Sequence, residues 1–343
     1  MRSCSVAVIG YGLAGAAFHA PFIAATPGLR LAAVVTSDEE RRSHAQRDHP
    51  DAELMRSADE VWASANDLDL VAIAAPNRAH VPLALAALNA GLHVVVDKPL
   101  AATAAEGRRV VERAREQDLM LTVFQNRRWD GDFLTLRKLL AARELGRVHR
   151  FESRFERWRP EVGAGWREQP APEDAGGVLF DLGSHLVDQA LVLFGPARNV
   201  YAELARRRPG TAVDDDAFVA LRHESGVVSH LWTSLLAASA GPRFRVLGDR
   251  GAFVKRGLDV QEDALRAGRR PDEPGFGDEP AERWGVLATG EGQRRVPTER
   301  GWYGAFYEGV ARSIAEGAPP PVDPDDAVRA LEVLEAARAS AVT

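Results

Sequence analysis

Residues 92–99 read Leu-His-Val-Val-Val-Asp-Lys-Pro, an apolar run that ends abruptly on polar residues and a proline. Three successive valines favour an extended strand, because β-branching restricts their rotation in a helix. A continuous apolar run is typical of a strand that is buried on both faces of a parallel sheet. Pro99 disfavours helical backbone at Lys98, so we expect this lysine at the carboxyl end of the strand, where ligands bind in open α/β sheets. The alternative is a solvated lysine at a strand exit.

Size and composition predict two domains with a sizeable core. The chain has 343 residues, of which 45% are hydrophobic and 27% charged, and its formal net charge is −6. A mildly acidic chain gains nothing from polyanions, so we expect neither nucleic acid nor a membrane surface as a partner. The single cysteine, Cys4, excludes an internal disulfide, and no apolar stretch approaches the roughly 20 residues of a membrane span. With no signal-peptide pattern at its start, the chain is expected in the cytoplasm.

A glycine motif follows the first strand. Residues 5–9 form a short apolar strand, residues 10–15 read Gly-Tyr-Gly-Leu-Ala-Gly, and a helix of small residues comes next. In this context G-x-G-x-x-G is typical of a dinucleotide-binding loop. Gly10 permits the turn, Gly12 lets the backbone approach a pyrophosphate, and Gly15 lets helix and strand pack closely. The N–H groups at the helix N-terminus favour the anion, whereas the alternative, an ordinary turn, needs no ligand.

The end of the second strand, residues 31–35, indicates which dinucleotide is preferred. NAD enzymes usually carry an acidic residue here, which binds the ribose 2′-hydroxyl. This chain has Thr36 and Ser37 instead, with Arg41 and Arg42 one turn into the next helix. Hydroxyls beside a guanidinium suit a 2′-phosphate, because arginine binds phosphate through two parallel hydrogen bonds. We therefore expect NADP to be preferred. Asp38 leaves NAD as the alternative, and the segment would also serve as a helix cap.

Residues 1–124 alternate between apolar strands and helices. Further strands are expected at residues 69–75, 92–97 and 119–124, with helices at 81–90 and 103–117. This alternation predicts an α/β fold with a doubly wound parallel sheet, the Rossmann architecture of dinucleotide-binding domains.

Residues 125–343 are expected to form an α+β domain that binds substrate and mediates oligomerisation, with a large, mainly antiparallel sheet. After a helix at 132–142, alternating strands are expected at residues 148–156, 198–207, 215–223, 226–235, 243–248 and 252–255. The pattern also predicts one helix over 176–194, a long surface loop over 257–282, and amphipathic helices over 303–316 and 325–340. An uncovered apolar sheet face is unfavourable in water, so a homodimer or homotetramer is expected.

The predicted helix over 176–194 carries Asp181 and His185, which are four residues apart and would share one face. Asp188 follows on nearly the same side. Carboxylates beside a histidine fix its tautomer and raise its basicity, as a general base requires. The alternative is an exposed helical pair without a catalytic role. The chain has no G-x-S-x-G motif and no H-x-x-x-H pair enclosing a glutamate, which disfavours serine hydrolysis and a zinc site.

Four motifs occur in order along the chain. They are the glycine loop, the strand end Ala75-Pro76-Asn77-x-x-His80, the turn Asp97-Lys98-Pro99, and Gly176-Gly177-x-x-x-Asp181-x-Gly183-x-His185. In this order they resemble the Gfo/Idh/MocA family of oxidoreductases over nearly the whole chain. Much of that family has glutamate where this chain has Asp97. Four features resemble the branch of the family that contains NADP-dependent scyllo-inositol dehydrogenases. They are the aspartate variant, the run Phe124-Gln-Asn-Arg-Arg-Trp-Asp-Gly-Asp-Phe133, Trp166-Arg167-Glu168 and Gly257-Leu258-Asp259.

The resemblance implies NAD(P)-dependent hydride transfer at a cyclitol or sugar. It implies that Lys98 hydrogen-bonds the reacting oxygen, that His185 exchanges the proton, and that Asp181 orients substrate and His185. Cofactor contacts are expected from Gly10, Tyr11, Gly12, Leu13, Gly15, Thr36, Ser37, Arg41, Ala75, Pro76, Asn77, His80, Asp97, Lys98, Gln125, Trp166 and Arg167. Substrate contacts are expected from Lys98, Asn126, Arg127, Arg159, Asp181, His185 and Tyr303.

Two other functions stay open from the sequence. Relatives on the same fold reduce non-sugar substrates, such as a dihydrodiol or a tetrapyrrole, or bind the cofactor as non-catalytic sensors. An arginine-rich run favours a polar or anionic substrate, unless the neighbouring glutamates neutralise it; the run is Arg154, Arg157, Arg159 and Arg167, and the glutamates are Glu152, Glu156, Glu161 and Glu168.

Two of the expected substrate residues also have structural alternatives. Arg127 would pair with Asp130 or Asp132, and Tyr303 would be a core residue beside Trp302 and Phe306.

Overall fold

The structure, a computed structural model, describes residues 3–341 of the chain. They fall into two compact units. The first unit contains residues 3–126, 262–276 and 303–328, and the second contains residues 127–261, 277–302 and 329–341. Two late segments of the chain thus belong to the same unit as its beginning. The division into domains after residue 124 stays a prediction.

The first unit contains a six-stranded parallel sheet, which confirms the doubly wound architecture. Its strands are β1 (Cys4–Ile9), β2 (Leu29–Val35), β3 (Glu53–Met55), β4 (Leu70–Ile73), β5 (His93–Asp97) and β6 (Leu121–Phe124). The strand order is β3-β2-β1-β4-β5-β6, and each neighbouring pair is parallel. The direction of winding reverses between β1 and β4, and in such sheets the crevice at that point binds the ligand.

The helices after the first five strands are α1 (Ala20–Ala25), α2 (Glu39–Asp48), α3 (Ala58–Ala63), α4 (His80–Asn89) and α5 (Ala104–Glu116). The helix expected directly after the glycine loop begins instead as a π-helix, Ala14–His19, in which Ala20 N–H donates to the Gly15 carbonyl. Pro21 then follows as the second residue of α1. Such π-turns occur frequently at functional sites.

The second unit contains an eight-stranded sheet that is mainly antiparallel, as predicted. Its strands are β7 (Val148–Glu156), β8 (Ala197–Ala205), β9 (Asp216–His223), β10 (Val228–Ser234), β11 (Phe244–Gly248), β12 (Gly251–Lys255), β13 (Gly285–Thr289) and β14 (Gly292–Val296). They follow the order β14-β13-β12-β11-β7-β10-β9-β8, and β7 with β10 is the parallel pair. The sequence analysis missed β13, which reads Gly-Val-Leu-Ala-Thr, and its partner β14. The edge strand β14 reads Gly-Gln-Arg-Arg-Val and has no alternating apolar pattern.

The predicted single helix over 176–194 is wrong. It is interrupted at Leu182, so that α7 (Val178–Asp181) and α8 (Gly183–Phe194) follow one another; α6 (Gly131–Ala141) precedes both. The helical segments on either side of the break meet at 65°. At the start of α7, the Leu179 N–H donates to the carboxylate of Asp214. Helices α7 and α8 pack on β7, β9 and β10, and so cover one face of the sheet.

The predicted surface loop over 257–282 is also wrong. It contains the helix α9 (Gln261–Arg266) and buries Asp259, Gln261 and Phe276. Asp259 accepts hydrogen bonds from the N–H groups of Gly131 and Gln261, so its polar side chain is satisfied inside the protein. The last helices are α10 (Gly304–Glu316) and α11 (Pro324–Ser340), close to the predicted bounds.

Within residues 3–341, no single helix is long and apolar enough to cross a membrane. The segments on either side of Leu182 meet the length and composition test only when taken together as a bent pair.

Candidate active site

Lys98 follows β5 directly, as the sequence predicted, at the carboxyl end of the parallel sheet. Its backbone N–H donates to Oδ1 of Asp97 at 2.8 Å, and the Lys98–Pro99 peptide bond is cis. The lysine is half-buried. The preceding carboxylate therefore fixes the backbone from which the ammonium group projects.

His80 connects two backbone segments next to Lys98. Its Nδ1 lies 2.7 Å from the carbonyl oxygen of Pro99, and its Nε2 lies 2.9 Å from that of Ala75. The ring is buried, and burial lowers the pKa of His80, while Asp97 and the two carbonyls oppose that shift. Expected as a cofactor contact, this histidine lies between the end of β4 and the residue after Lys98, and in its neutral form it donates to one of the two carbonyls at a time.

A second buried histidine, which the sequence analysis missed, lies near Asp97. His19 Nδ1 is 2.5 Å from the hydroxyl of Tyr307, and the His19 ring lies 4.4 Å from the ring centroid of Phe124. Burial lowers the pKa of His19 to about 4, and the negative charge of Asp97 opposes this shift. Burial and the same Asp97 raise the pKa of Tyr307. His19 is the last residue of the π-helix, and no local pattern in the sequence marks it.

The glycine loop has the geometry that a pyrophosphate requires. Gly10 has φ +98°, and a Cβ there would lie 2.5 Å from the carbonyl oxygen of Ala74. A Cβ on Gly15 would lie 1.9 Å from the Gly10 carbonyl oxygen. On Gly12, by contrast, it would meet only the Arg41 guanidinium, at 3.9 Å. The loop is therefore closed on two sides and open beside Gly12, with a cation at that opening, so these residues fit a nicotinamide dinucleotide.

The residues around the end of β2 divide into structural and accessible groups. Asp38 caps α2 by accepting from the Arg41 N–H at 3.0 Å. Arg42 donates to the carbonyl oxygens of Thr36, Leu54 and Met55 and so joins β2 to β3. Thr36 is buried and Ser37 is exposed. The Arg41 side chain is 55% exposed, 3.9 Å from Asp38. Arg41 is thus the accessible guanidinium of this segment.

The other expected cofactor residues of the first unit differ in exposure. The Tyr11 ring is buried between the rings of His44 and His49, and Leu13 is exposed. Asn77 is buried in a 3₁₀ turn after Pro76. Gln125 follows β6 and is 3% exposed, and its Oε1 has no hydrogen-bond partner within the described part of the chain. A buried amide oxygen in that condition is a candidate for a ligand contact.

In the second unit, the helix break places Asp181 and His185, which were expected to share one face of a single helix, on two consecutive helices. His185 lies on α8 and is 5% exposed, with its ring 6.3 Å from that of Phe155. Asp181 ends α7, and its Oδ1 accepts from Nε of Arg167 at 3.0 Å. Asp188 lies three residues after His185 on α8, and its two oxygens accept from Arg128 at 2.9 and 2.6 Å; a role for it beside His185 stays a prediction.

Several expected substrate residues have structural roles. Arg127 is buried, 3.3 Å from Asp130, which is one of the alternatives considered for it, and its guanidinium lies over the Phe155 ring. Tyr303 is fully buried and its ring packs near Phe18 and Phe22, which agrees with the core alternative. Asn126 is also buried.

A cavity of about 180 Å³ adjoins Asp181. Its wall is lined by both charges, including the guanidinium groups of Arg159 and Arg167 and the carboxylate of Glu168. The arginine-rich run is partly neutralised, because Arg154 lies 3.5 Å from Glu152 and 3.8 Å from Glu156. Polar walls of mixed charge suit a small polar ligand with several hydroxyl groups.

Comparison with known proteins identifies both halves of the chain. Residues 4–125 match the family model described as an oxidoreductase NAD-binding Rossmann fold, and residues 137–343 match the C-terminal alpha/beta domain of the same oxidoreductase family.

Full-length relatives agree with this assignment. The chain is 36% identical to the scyllo-inositol 2-dehydrogenase (NADP(+)) IolW of Bacillus subtilis, over 98% of this chain and 93% of that protein. It is 41% identical to the uncharacterized oxidoreductase YdgJ of Escherichia coli, over 96% and 94% of the two chains. The solved structure of the oxidoreductase yvaA of Bacillus subtilis superposes with a TM-score of 0.92 at 36% identity, covering 99% of this chain and 96% of that one.

Proposed function

Because the chain belongs to the Gfo/Idh/MocA family of oxidoreductases, as the sequence resemblance predicted, we propose that it interconverts a hydroxyl of a cyclitol or sugar and the corresponding carbonyl. The observation that supports this substrate class is the 36% sequence identity to a scyllo-inositol 2-dehydrogenase, in an alignment that covers 98% of the chain. The bound nicotinamide supplies hydride exchange with the substrate carbon. The side chains of this protein bind and orient the reactants and handle the proton.

Lys98 is proposed to hydrogen-bond the reacting oxygen. Its ammonium group donates, and so stabilises the negative charge that grows on this oxygen while the C–H bond is broken or formed. The backbone bond to Asp97 and the His80 link to Pro99 support this role, because they fix the segment that carries the lysine. Held in place before the reaction, the positive charge need not reorganise during it.

His185 is proposed to be the general base in oxidation and the general acid in reduction. It removes the hydroxyl proton as the carbonyl forms, and returns a proton to the oxygen in the reverse direction. Asp181 is proposed to contact the substrate and to orient His185, with Arg167 holding its carboxylate in the free protein. Lys98 and His185 are thus the proton-handling pair of the proposal.

NADP is proposed as the preferred cofactor. Arg41 supports this, because its guanidinium is accessible near Gly12, and the carboxylate of Asp38 is used to cap α2. Thr36 and Ser37 leave room for a phosphate where an NAD enzyme has an acidic residue. Gln125 and Asn77 are the proposed polar contacts beyond the sugar-phosphate part of the cofactor, together with Trp166 and Arg167.

The cofactor preference is tested by titrating the protein with NADPH and NADH while nicotinamide fluorescence is followed. Arg41→Met should weaken NADPH binding about tenfold, the loss expected for one charged hydrogen bond, and leave NADH binding unchanged. Arg47→Met, an exposed arginine on the same helix, is the matched control. Tighter binding of NADH by the wild-type protein would contradict the preference for NADP.

The substrate class is tested with the same protein and a panel of inositols and aldoses. Oxidation of scyllo-inositol or a related polyol with NADP would support the proposal. Turnover restricted to aromatic diols or tetrapyrroles would favour the non-sugar alternative. Cofactor binding without turnover of any of these compounds would contradict the proposed substrates.

A homodimer or homotetramer formed through the open face of the eight-stranded sheet is also proposed. Helices α7 and α8 cover the other face, and along β9 and β10 every second residue is only half-buried. Phe218, His230 and Trp232 stand on this face with their rings 5.1 to 5.8 Å apart, and the ring of Tyr201, which is 45% exposed, lies near Phe218. Contiguous aromatic surface of this kind is typical of a protein interface.

A further inference from the structure

A ten-residue segment borders the cavity next to Asp181, and we call residues 160–169 the flap. It reads Pro-Glu-Val-Gly-Ala-Gly-Trp-Arg-Glu-Gln, and residues 160–165 are exposed. Glu161, Gly163, Arg167 and Glu168 of the flap line the cavity, and Asp181 lies on its wall. A glycine-containing loop of this exposure loses much conformational entropy when it is held in one position. Some contact must therefore hold it.

That contact is the buried guanidinium of Arg208, which lies in the hairpin loop between β8 and β9. The Arg208 side chain is 1% exposed. Its Nη1 donates to the carbonyl oxygen of Glu161 at 3.1 Å, and its Nη2 donates to both oxygens of the Glu168 carboxylate at 3.1 and 2.9 Å. Arg208 thus binds the flap near its beginning and near its end, through two residues that are seven positions apart in sequence.

The clamp is itself anchored on the sheet. Asp215, which is fully buried, accepts from Nε and from the backbone N–H of Arg208, both at 2.9 Å. The preceding residue, Asp214, accepts from the Leu179 N–H and so holds the start of α7, the helix that ends at Asp181. Adjacent carboxylates in one loop therefore hold the helix on one side of the cavity and, through Arg208, the flap on the other.

The far end of the flap also packs against α7. Gly177 N–H donates to the Arg167 carbonyl oxygen at 3.0 Å, and a Cβ on Gly176 would lie 2.4 Å from the carbonyl oxygen of Gln169. The Arg167 side chain in turn donates to Asp181. A shift of the flap would therefore move the guanidinium that contacts Asp181.

From these contacts we infer that Arg208 is a positioning residue: it holds both ends of the flap over the cavity beside Asp181 and thereby sets the affinity for the substrate. Buried ion pairs add little stability compared with apolar packing of the same size, whereas they fix geometry. The link to the substrate rests on the proposed function, because Asp181 is a substrate contact only if that function holds.

The test uses Glu168→Gln, which keeps the size of the side chain and leaves the Arg208–Asp215 pair intact. Two quantities are measured: the rate of elastase cleavage after Val162 or Ala164, located by mass spectrometry, and KM and kcat for scyllo-inositol. Because one charged hydrogen-bonded contact is lost, cleavage in the flap and KM should each rise about tenfold, with kcat unchanged. Arg208→Lys should act in the same direction, since an ammonium group cannot reach the three acceptors together.

Arg207→Met is the matched control. Arg207 precedes the clamp and pairs with Asp216, but its side chain is 61% exposed. It should change neither the cleavage rate nor KM. Because the lost contact also lowers the free energy of unfolding, the map of cleavage sites decides whether the change is local. New cleavage confined to residues 160–169 would show opening of the flap, whereas faster cleavage along the whole chain would show general destabilisation.

The outcomes separate the two proposals. If Glu168→Gln and Arg208→Lys were cleaved in the flap no faster than Arg207→Met, the clamp would be overturned. Faster cleavage without a change in KM would overturn its effect on substrate affinity. If the wild-type protein turned over no cyclitol or sugar, the proposed function would fail, while the cleavage rates would still decide whether Arg208 holds the flap.

Discussion

At the scale of single residues, the proposed chemistry depends most on the ammonium group of Lys98. Lys98→Met keeps the length of the side chain and removes the charge. We expect kcat to fall about 10²–10⁴-fold, the contribution of a positioned proton-handling group, while NADPH binding is retained. Steady-state kinetics and a fluorescence titration measure the two effects separately.

Lys138→Met provides the control for this substitution. Lys138 is 70% exposed on α6 and pairs with Glu299. It should leave both kinetics and cofactor binding unchanged. A Lys98→Met protein with wild-type kcat would exclude Lys98 from proton handling.

The buried His19 makes a prediction about pH. Its pKa of about 4 in the folded protein lies below the ordinary value of 6.5, so between these values the unfolded chain binds a proton that the folded chain does not. The free energy of unfolding therefore falls as the pH is lowered through this window, by about 2 kcal/mol between pH 7.5 and 5 on account of His19. In His19→Phe the difference between urea unfolding at these two pH values should be smaller by that amount.

His149→Gln, a change at an exposed histidine on β7, should leave the pH dependence as it is in the wild-type protein. An unchanged pH dependence in His19→Phe as well would show that His19 is not held in its neutral form by burial.

At the scale of secondary-structure elements, the helix α8 depends on a buried ion pair. Arg128 and Asp188 are 11% and 3% exposed and are joined by two hydrogen bonds. Asp188→Asn leaves the guanidinium inside the protein without its counter-charge, so we expect a loss of about 3–5 kcal/mol in the free energy of unfolding. Urea denaturation measures it. Asp48→Asn, at an exposed pair with His44 on α2, should show no comparable loss.

The elements that could be predicted are those whose pattern is local. The strands β1, β4 and β5 are continuous apolar runs, and the glycine loop follows β1 directly, so the Rossmann architecture was evident from the sequence. The break at Leu182 was not, because the apolar residues keep helical spacing through it and no local signal marks the interruption. The edge strand β14 escaped detection since its side chains are polar and mostly exposed.

The residues of the candidate site also divide into those marked by a local sequence pattern and those whose contacts are distant in sequence. Lys98 was identified because a proline follows a buried strand, which is a pattern within eight residues. His19 and Arg208 were missed, because their partners Tyr307 and Glu168 are distant in sequence and the contacts exist only in the folded chain. For Asp188, helical spacing suggested a role beside His185, whereas Arg128, sixty residues earlier, takes both of its oxygens.

At the scale of the whole molecule, the proposed oligomer interface is the open face of the eight-stranded sheet. Trp232 stands at the centre of its aromatic cluster, and the guanidinium of Arg154 lies 3.8 Å from the Trp232 ring centroid. A carboxylate at this position would have to be desolvated at the interface, which is strongly unfavourable. Trp232→Glu should therefore convert the oligomer to a monomer, as measured by light scattering after size-exclusion chromatography. The fold should be retained, because the substitution lies on the outer face and leaves the buried apolar side chains of β9 in place.

Val192→Glu distinguishes this interface from general surface hydrophobicity. Val192 is 36% exposed on α8, the helix that covers the opposite face of the sheet, so the same charge placed there should leave the oligomer intact. If Trp232→Glu kept the wild-type mass, another surface would have to form the assembly. If the wild-type protein were itself monomeric, the aromatic face would be solvated in the native state, and the size of this patch would need a different explanation. A monomeric Trp232→Glu protein that retains NADPH binding would show that the Rossmann sheet binds its cofactor without the oligomer.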